Sequence, residues 1–181
     1  MSGRCGSPRI TTLIAMIALI AFPSRVGAAS DPGRHVRTLD RRVDTLIEEG
    51  ARRSPLFRSL LELIEQSNVI VYVESGMLPA GLVGRLTLAG APAGWRYLRV
   101  RIECRQSRDG QIAALGHELQ HVAEIATAGT IVDRSSIQLL YGRIGFALDS
   151  GGRQFESEAA RNAGARVRRE LSSRAVAVSR R

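Results

Sequence analysis

The sequence of 181 residues contains no lysine; all 26 basic residues are arginine. That absence excludes a lysine Schiff base, a phosphate-loop lysine and a lysine general base. Cysteine is almost as scarce, with Cys5 and Cys104 alone, so no disulfide framework holds the fold. Aromatic residues make up 4% of the chain, too few for a platform on which bases stack. No nucleic acid is therefore expected as a partner, although the net charge is +9. A hydrophobic content of 44% with 24% charged residues excludes collagen-like, coiled-coil and wholly disordered chains. The length fits one domain with a tail.

The N-terminus reads as an export signal. Arg4 and Arg9 precede a mainly apolar run over residues 10–22, shorter than the roughly 20 residues a membrane span needs and of the length of a signal core. Pro23 ends the run, and the small residues Gly27, Ala28 and Ala29 follow. We expect residues 1–28 to be a signal peptide, residues 29–181 a single domain, and the protein to be periplasmic or secreted. The alternative for the N-terminus is an uncleaved anchor. Cys104 then stands alone, and its place at the end of a strand-like run suggests a small buried hydrophobe.

Leu39, Val43, Leu46 and Ile47 recur at helical spacing. Ser54 and Pro55 open a second helix with Leu56, Leu60, Leu61 and Ile64 on one face. Residues 69–73, 82–88 and 97–104 read as strands of a small, mostly antiparallel sheet. In the last, Leu98, Val100 and Ile102 alternate with Arg99, Arg101 and Glu103, which should face out of the core. A helix follows over about 111–128. Another runs over 135–146 with Ser135 as cap and Ile137, Leu140, Tyr141 and Ile144 buried. A last helix spans about 154–177 and carries Arg166, Arg168, Arg169 and Arg174. This basic tail is either simply solvated or docks on an anionic envelope surface.

The chemistry is concentrated in Leu115-Gly116-His117-Glu118-Leu119-Gln120-His121. Four residues turn a helix by about 400°, so His117 and His121 project from one face, one turn apart, and reach a single metal ion. Glu118 points about 100° further round, where it can serve a metal-bound water without being a ligand. Two neutral imidazoles and one carboxylate leave a zinc site net positive, which lowers the pKa of bound water toward about 7. A third ligand is needed. Glu124 shares the histidine face, but three turns of a straight helix do not wrap around one ion, so it fits a supporting role. Asp149, Glu156 and Glu158 remain, the last two on a separate helix.

These residues resemble the gluzincin branch of zinc metallopeptidases, in a small exported form. The likeness rests on His117–His121 and the later Glu156-Ser157-Glu158-Ala159-Ala160. It implies an α+β, zincin-like fold: a small sheet, an active-site helix, and a C-terminal helix that supplies a glutamate. In that family the ligand glutamate is often followed by alanine three residues on, which Glu156 satisfies and Glu158 does not. The resemblance thus implies Zn2+ on His117, His121 and Glu156, with Glu118 as general base for hydrolysis of a peptide or protein substrate. Where the family places an aspartate behind the first histidine, this chain has Ala160. Residues 97–104 are expected to form the edge strand that meets the substrate. Tyr141, and more weakly Arg143 or Arg153, are the candidates for stabilising the oxyanion; a core role for the Tyr141 ring is the competing reading. The alternatives to a peptidase are a protein that zinc merely holds together and a basic envelope-binding module.

Overall fold

The computed structural model describes residues 33–148 and 154–179, with side chains described to residue 173. The signal segment, Cys5, Asp149, Arg153 and the side chain of Arg174 lie outside the described residues. Helix α1 (Arg41–Arg53) starts where the Asp40 side chain accepts the Arg42 N–H, and it buries Val43, Leu46 and Ile47. Leu39, expected on that stripe, precedes the cap and is exposed. Ser54 separates α1 from α2 (Pro55–Glu65): its hydroxyl accepts the Phe57 N–H at 3.0 Å. The same hydroxyl donates to Glu170 at 2.5 Å, near the C-terminal end of the chain.

Four strands follow the order β1-β2-β4-β3, with β1 at Val36–Arg37, β2 at Val69–Gly76, β3 at Gly84–Gly90 and β4 at Arg96–Glu103. The architecture is α+β as expected, but the pairing is mixed. It is antiparallel along β3–β4 and parallel along β2–β4 and β1–β2. The chain leaves β2, runs to the outer position as β3, and returns to place β4 between them. The expected edge strand is therefore an inner one, and β3 and β1 form the two edges. Burial explains the choice: Leu98, Val100 and Ile102 of β4 are fully buried, whereas β3 alternates between half-buried and exposed positions. Central strands need the more apolar sequence.

Two residues at the end of β4 depart from expectation. Glu103 is buried rather than outward, because its carboxylate accepts the Leu78 N–H at 2.7 Å and bonds Arg105. The Arg105 guanidinium and these backbone donors hold Glu103 well below the usual carboxylate range. Cys104 lies one residue beyond β4 and is exposed, not a core residue. At the other end, Arg96 is buried and donates to the carbonyls of Ile125 and Ala126. It so supplies partners for the open C-terminal end of the next helix.

That helix, α3 (Arg108–Ala128), packs on β3 and β4 on one side and on α1, α2 and the C-terminal helix on the other. A helix enclosed this way carries apolar or small residues around most of its circumference, as Ile112, Ala113, Leu115, Leu119 and Val122 do. Next, α4 (Arg134–Ile144) is capped by Asp133, not Ser135; Asp133 and Ser136 exchange side-chain and backbone bonds in a capping box. Leu140 and Tyr141 are buried, but Ile144 is exposed. Gly145 turns extended there and opens a short ribbon, β5 (Gly145–Ala147) with β6 (Phe155–Ser157). The ribbon occupies what the sequence suggested were helix ends, so α5 begins later, at Glu158, and runs to Ser179.

Helices α3 and α5 touch through glycine. A Cβ placed on Gly116 would stand 2.8 Å from Val167 Cγ2, and one on Gly164 would stand 3.1 Å from the His117 Cβ. Replacing Gly116 by valine should separate the helices and destabilise the protein by about 1–3 kcal/mol. Thermal unfolding checks this, and Val167→Ala in the same chain should recover part of the loss. An unchanged melting temperature for Gly116→Val would mean that the helices do not pack this closely.

Candidate metal centre

His117 and His121 stand one turn apart on α3, their ring centroids 4.9 Å apart and their planes at 81°. Glu156 reaches them from the ribbon. Its Oε1 is 3.6 Å from His117 Nε2 and 3.5 Å from His121 Nε2. One donor atom from each of the three residues lies within 4.8 Å of the others, and no second such group occurs among the described residues. Glu156 sits in β6, just ahead of α5 rather than within it. Position 145 makes this possible: a Cβ there would fall 2.1 Å from the Glu156 carbonyl oxygen. Glycine lets the two strands close up and aims the carboxylate at α3.

The other third-ligand candidates fall elsewhere. Glu158 is exposed in the first turn of α5. Glu124 lies behind His121, where its Oε2 is 2.9 Å from Nδ1. In the neutral ring this bond keeps the proton on Nδ1 and leaves the Nε2 lone pair, which faces Glu156, free to ligate a metal. Ser157 donates to the other Glu124 oxygen at 2.5 Å and also accepts the Ala160 N–H at 3.0 Å, which starts α5. Ser157 escaped the sequence reading. Its signal was a serine three residues before Ala160 at a helix start, the usual spacing of a cap.

Tyr141 comes to the centre, but not in the expected role. Its hydroxyl is 2.9 Å from His121 Nδ1 and donates to Glu124 at 3.1 Å, on the side of the ring away from Glu156. The ring stacks on Phe155 at 5.3 Å. The hydroxyl is thus engaged in orienting His121 from the Nδ1 side rather than facing the three donor atoms. Arg143 is exposed. Behind His117, where the resembled family has an aspartate, the backbone of Ala160 hydrogen-bonds the ring.

Glu118 projects from α3 beside the histidine pair, against the edge strand β3. A Cβ on Gly84 would stand 2.3 Å from Glu118 Oε1, so only glycine admits this carboxylate beside β3. Burial pushes Glu118 up to about 7. Burial also lowers His117, with the neighbouring His121 adding to the effect. In His121 burial opposes the charged ring, but hydrogen bonds that the ring donates to Glu124 and Glu156 outweigh it and carry the group up to about 9. Glu124 and Glu156 are both held low despite their burial, chiefly by those bonds to His121.

The centre forms the floor of an open cleft of about 550 Å³. Val83, Leu86 and Leu88 line one wall; Ile137, Leu148 and Phe155 line the other. The molecule is thus a small α+β domain whose two histidines and one glutamate form a cluster able to coordinate a divalent metal, as in a zincin-like architecture. Comparison with protein-family models, curated proteins and solved structures gave no match.

Alanine at His117, His121 or Glu156 should each remove most bound divalent metal, whereas Glu158→Ala should retain it; metal analysis of purified protein decides. Full retention in Glu156→Ala would remove Glu156 from the set. His121 must be neutral to donate Nε2, so metal binding competes with its proton. Because the His121 value is raised to about 9, apparent affinity should climb with pH through the neutral range and level off above that value. Chelator competition across pH measures this, and a flat profile would contradict it.

Proposed function

We propose that this protein is an exported zinc-dependent peptidase, with His117, His121 and Glu156 as ligands and Glu118 as general base. The observation that carries this reading is a set of four side chains at the floor of an open cleft. Three converge as donors; the fourth, Glu118, is buried beside them and is not one of them. Two imidazoles with one carboxylate suit zinc, and three protein ligands rather than four are the mark of a catalytic site. When bound, zinc supplies a Lewis acid that polarises the scissile carbonyl and makes water more acidic.

The chain's own residues supply the remaining roles. Glu118, with a value of about 7, is matched to accept a proton from the attacking water near neutral pH and to return it to the leaving amine. Glu124 and Tyr141 hold the His121 ring so that Nε2 keeps its aim. The outer edge of β3 has no neighbouring strand among the described residues and borders the cleft, so it supports binding of an extended peptide by strand addition. The signal read in residues 1–28 supports export.

Glu118→Gln tests the reading, since the amide preserves shape and the residue is not a ligand. The variant should keep its metal and its melting temperature but lose hydrolysis of a mixed peptide library by at least about 10²-fold. Equal cleavage by the two proteins would remove Glu118 from the mechanism. A purely structural zinc site would leave the change silent in every assay.

A further inference from the structure

The cleft has two ends of different chemistry. Gly84, at the start of β3, meets Glu118, so that end belongs to the metal centre. Further along the strand, Leu88 pairs with Leu98 of β4, and Arg96 of β4 bonds the Ile125 carbonyl. Strand β3 and helix α3 therefore run the same way along the cleft, and Leu88 lies at the Ile125 end. Residues 129–133 alone separate α3 from α4, and α4 reaches back to His121 through Tyr141. The first turn of α4 consequently lies at the Ile125 end as well.

Arg134, Ile137 and Tyr141 all line the cleft, and steps of three and then four residues put them on one face of α4. Leu88, Ile125 and Ile137 give this end apolar walls, and Arg134 stands one helical turn beyond Ile137. Among the described residues no carboxylate pairs with Arg134. Asp133 precedes it in sequence, but its Oδ1 accepts the Ser136 N–H at 2.8 Å and the Ser136 hydroxyl at 2.9 Å as the cap of α4. Glu118 and Glu156 are held at the other end, against Gly84 and the histidines. Arg85 borders the cleft too, but it alternates with Leu86 and lies in register with Arg101, on the outer face of the sheet.

We infer that this end of the cleft is a specificity subsite for acidic peptides. Its apolar walls take a hydrophobic side chain of the substrate. Arg134 takes a carboxylate two residues further on, supplied by an acidic side chain or by a peptide's C-terminus. The inference deepens the peptidase reading and rests on it for the bond that is cut. The spacing follows from backbone geometry. One helical turn is about 5.4 Å, and side chains on one side of an extended peptide repeat about every 6.6 Å. A peptide laid along β3 thus offers alternate side chains to Ile137 and to Arg134. The guanidinium fork bonds a carboxylate through two N–H groups, and it repels a basic side chain at the same place. Arg134 is a binding residue only, because it stands about 10 Å along α4 from Tyr141 and does not meet the reacting atoms.

The test measures binding rather than turnover, by fluorescence anisotropy of labelled hexapeptides on the zinc-loaded Glu118→Gln protein. Three amidated peptides carry leucine and, two residues on, Asp, Asn or Lys. A fourth ends two residues after leucine in a free carboxylate. The Asp peptide, the free-carboxylate peptide or both should bind about three- to tenfold more tightly than the Asn peptide, and which of them does so identifies the source of the carboxylate. Arg134→Ala should abolish the difference, and Arg134→Glu should reverse it in favour of the Lys peptide. Arg143→Ala, a change of equal charge on the same helix at an exposed position outside the cleft lining, should leave it intact. Melting temperatures of all variants should match. Equal binding of all four peptides, binding of none, or discrimination that survives Arg134→Ala would overturn the subsite. Cleavage of a mixed library by the wild-type protein without that discrimination would overturn the subsite and leave the peptidase reading standing. Discrimination by a wild-type protein that cuts nothing would establish the subsite and count against the peptidase reading alone.

Discussion

One buried carboxylate holds the centre together. Glu124 bonds His121 within α3, Tyr141 from α4 and Ser157 at the end of β6, so every element that borders the metal cluster on that side meets at its two oxygens. Hydrogen bonds to a charged group are worth about 1.5–3 kcal/mol each, and a buried charge without them is strongly unfavourable. The carboxylate and its three donors therefore form together or not at all. Because Ser157 also caps α5, the position of the C-terminal helix is referred to the same point. The ring of His121 and the backbone that carries Glu156 are positioned by one shared partner rather than separately.

A second constraint is the closeness of α3 and α5. Gly116 and Gly164 remove the side chains that would keep the helices apart. This closeness lets the Ala160 backbone reach the His117 ring, so the chain does without a carboxylate behind that histidine. The two histidines are thus supported by different chemistry: a neutral backbone group for one, a charged carboxylate for the other. Burial and the neighbouring His121 outweigh the backbone bond and lower His117, whereas at His121 the bonds to Glu124 and Glu156 outweigh burial and raise it.

The parts of the fold legible in the sequence are those written in long periodic stretches. The helical face of α3, the alternation of β4 and the Ser54-Pro55 boundary all stand where residue pattern and capping chemistry put them. The histidine pair was legible because helix geometry alone sets it. What was not legible depends on contacts between distant segments. The three-residue strands β5 and β6 are too short for any period, and their existence turns on Gly145 admitting the Glu156 carbonyl. Glu103 looked outward by alternation, but Leu78, from a loop 25 residues away, supplies the backbone donor that makes its burial tolerable. Strand order was equally hidden, since pairing direction depends on where β3 lands after leaving β2. Tyr141 was legible as a neighbour of the site and not in its role, because a sequence does not record which nitrogen of a histidine a hydroxyl will meet.

The third donor sits on a ribbon and not on the helix frame, and this gives the metal centre a mechanical meaning. His117 and His121 belong to α3, which is locked between sheet and helices, while Glu156 belongs to a two-stranded ribbon reached through α4. An ion shared between them would act as a clasp that shuts the loop of chain running from His121 to Glu156. Shutting a loop lowers the entropy of its open states by an amount that grows with the logarithm of its length. The benefit would fall unevenly: β2, β4 and α1 would open as before, and the α4–ribbon lobe would become the part whose local opening is governed by metal supply. That lobe is also one wall of the cleft, so the ion that equips the floor for chemistry would at the same time stiffen the wall beside it.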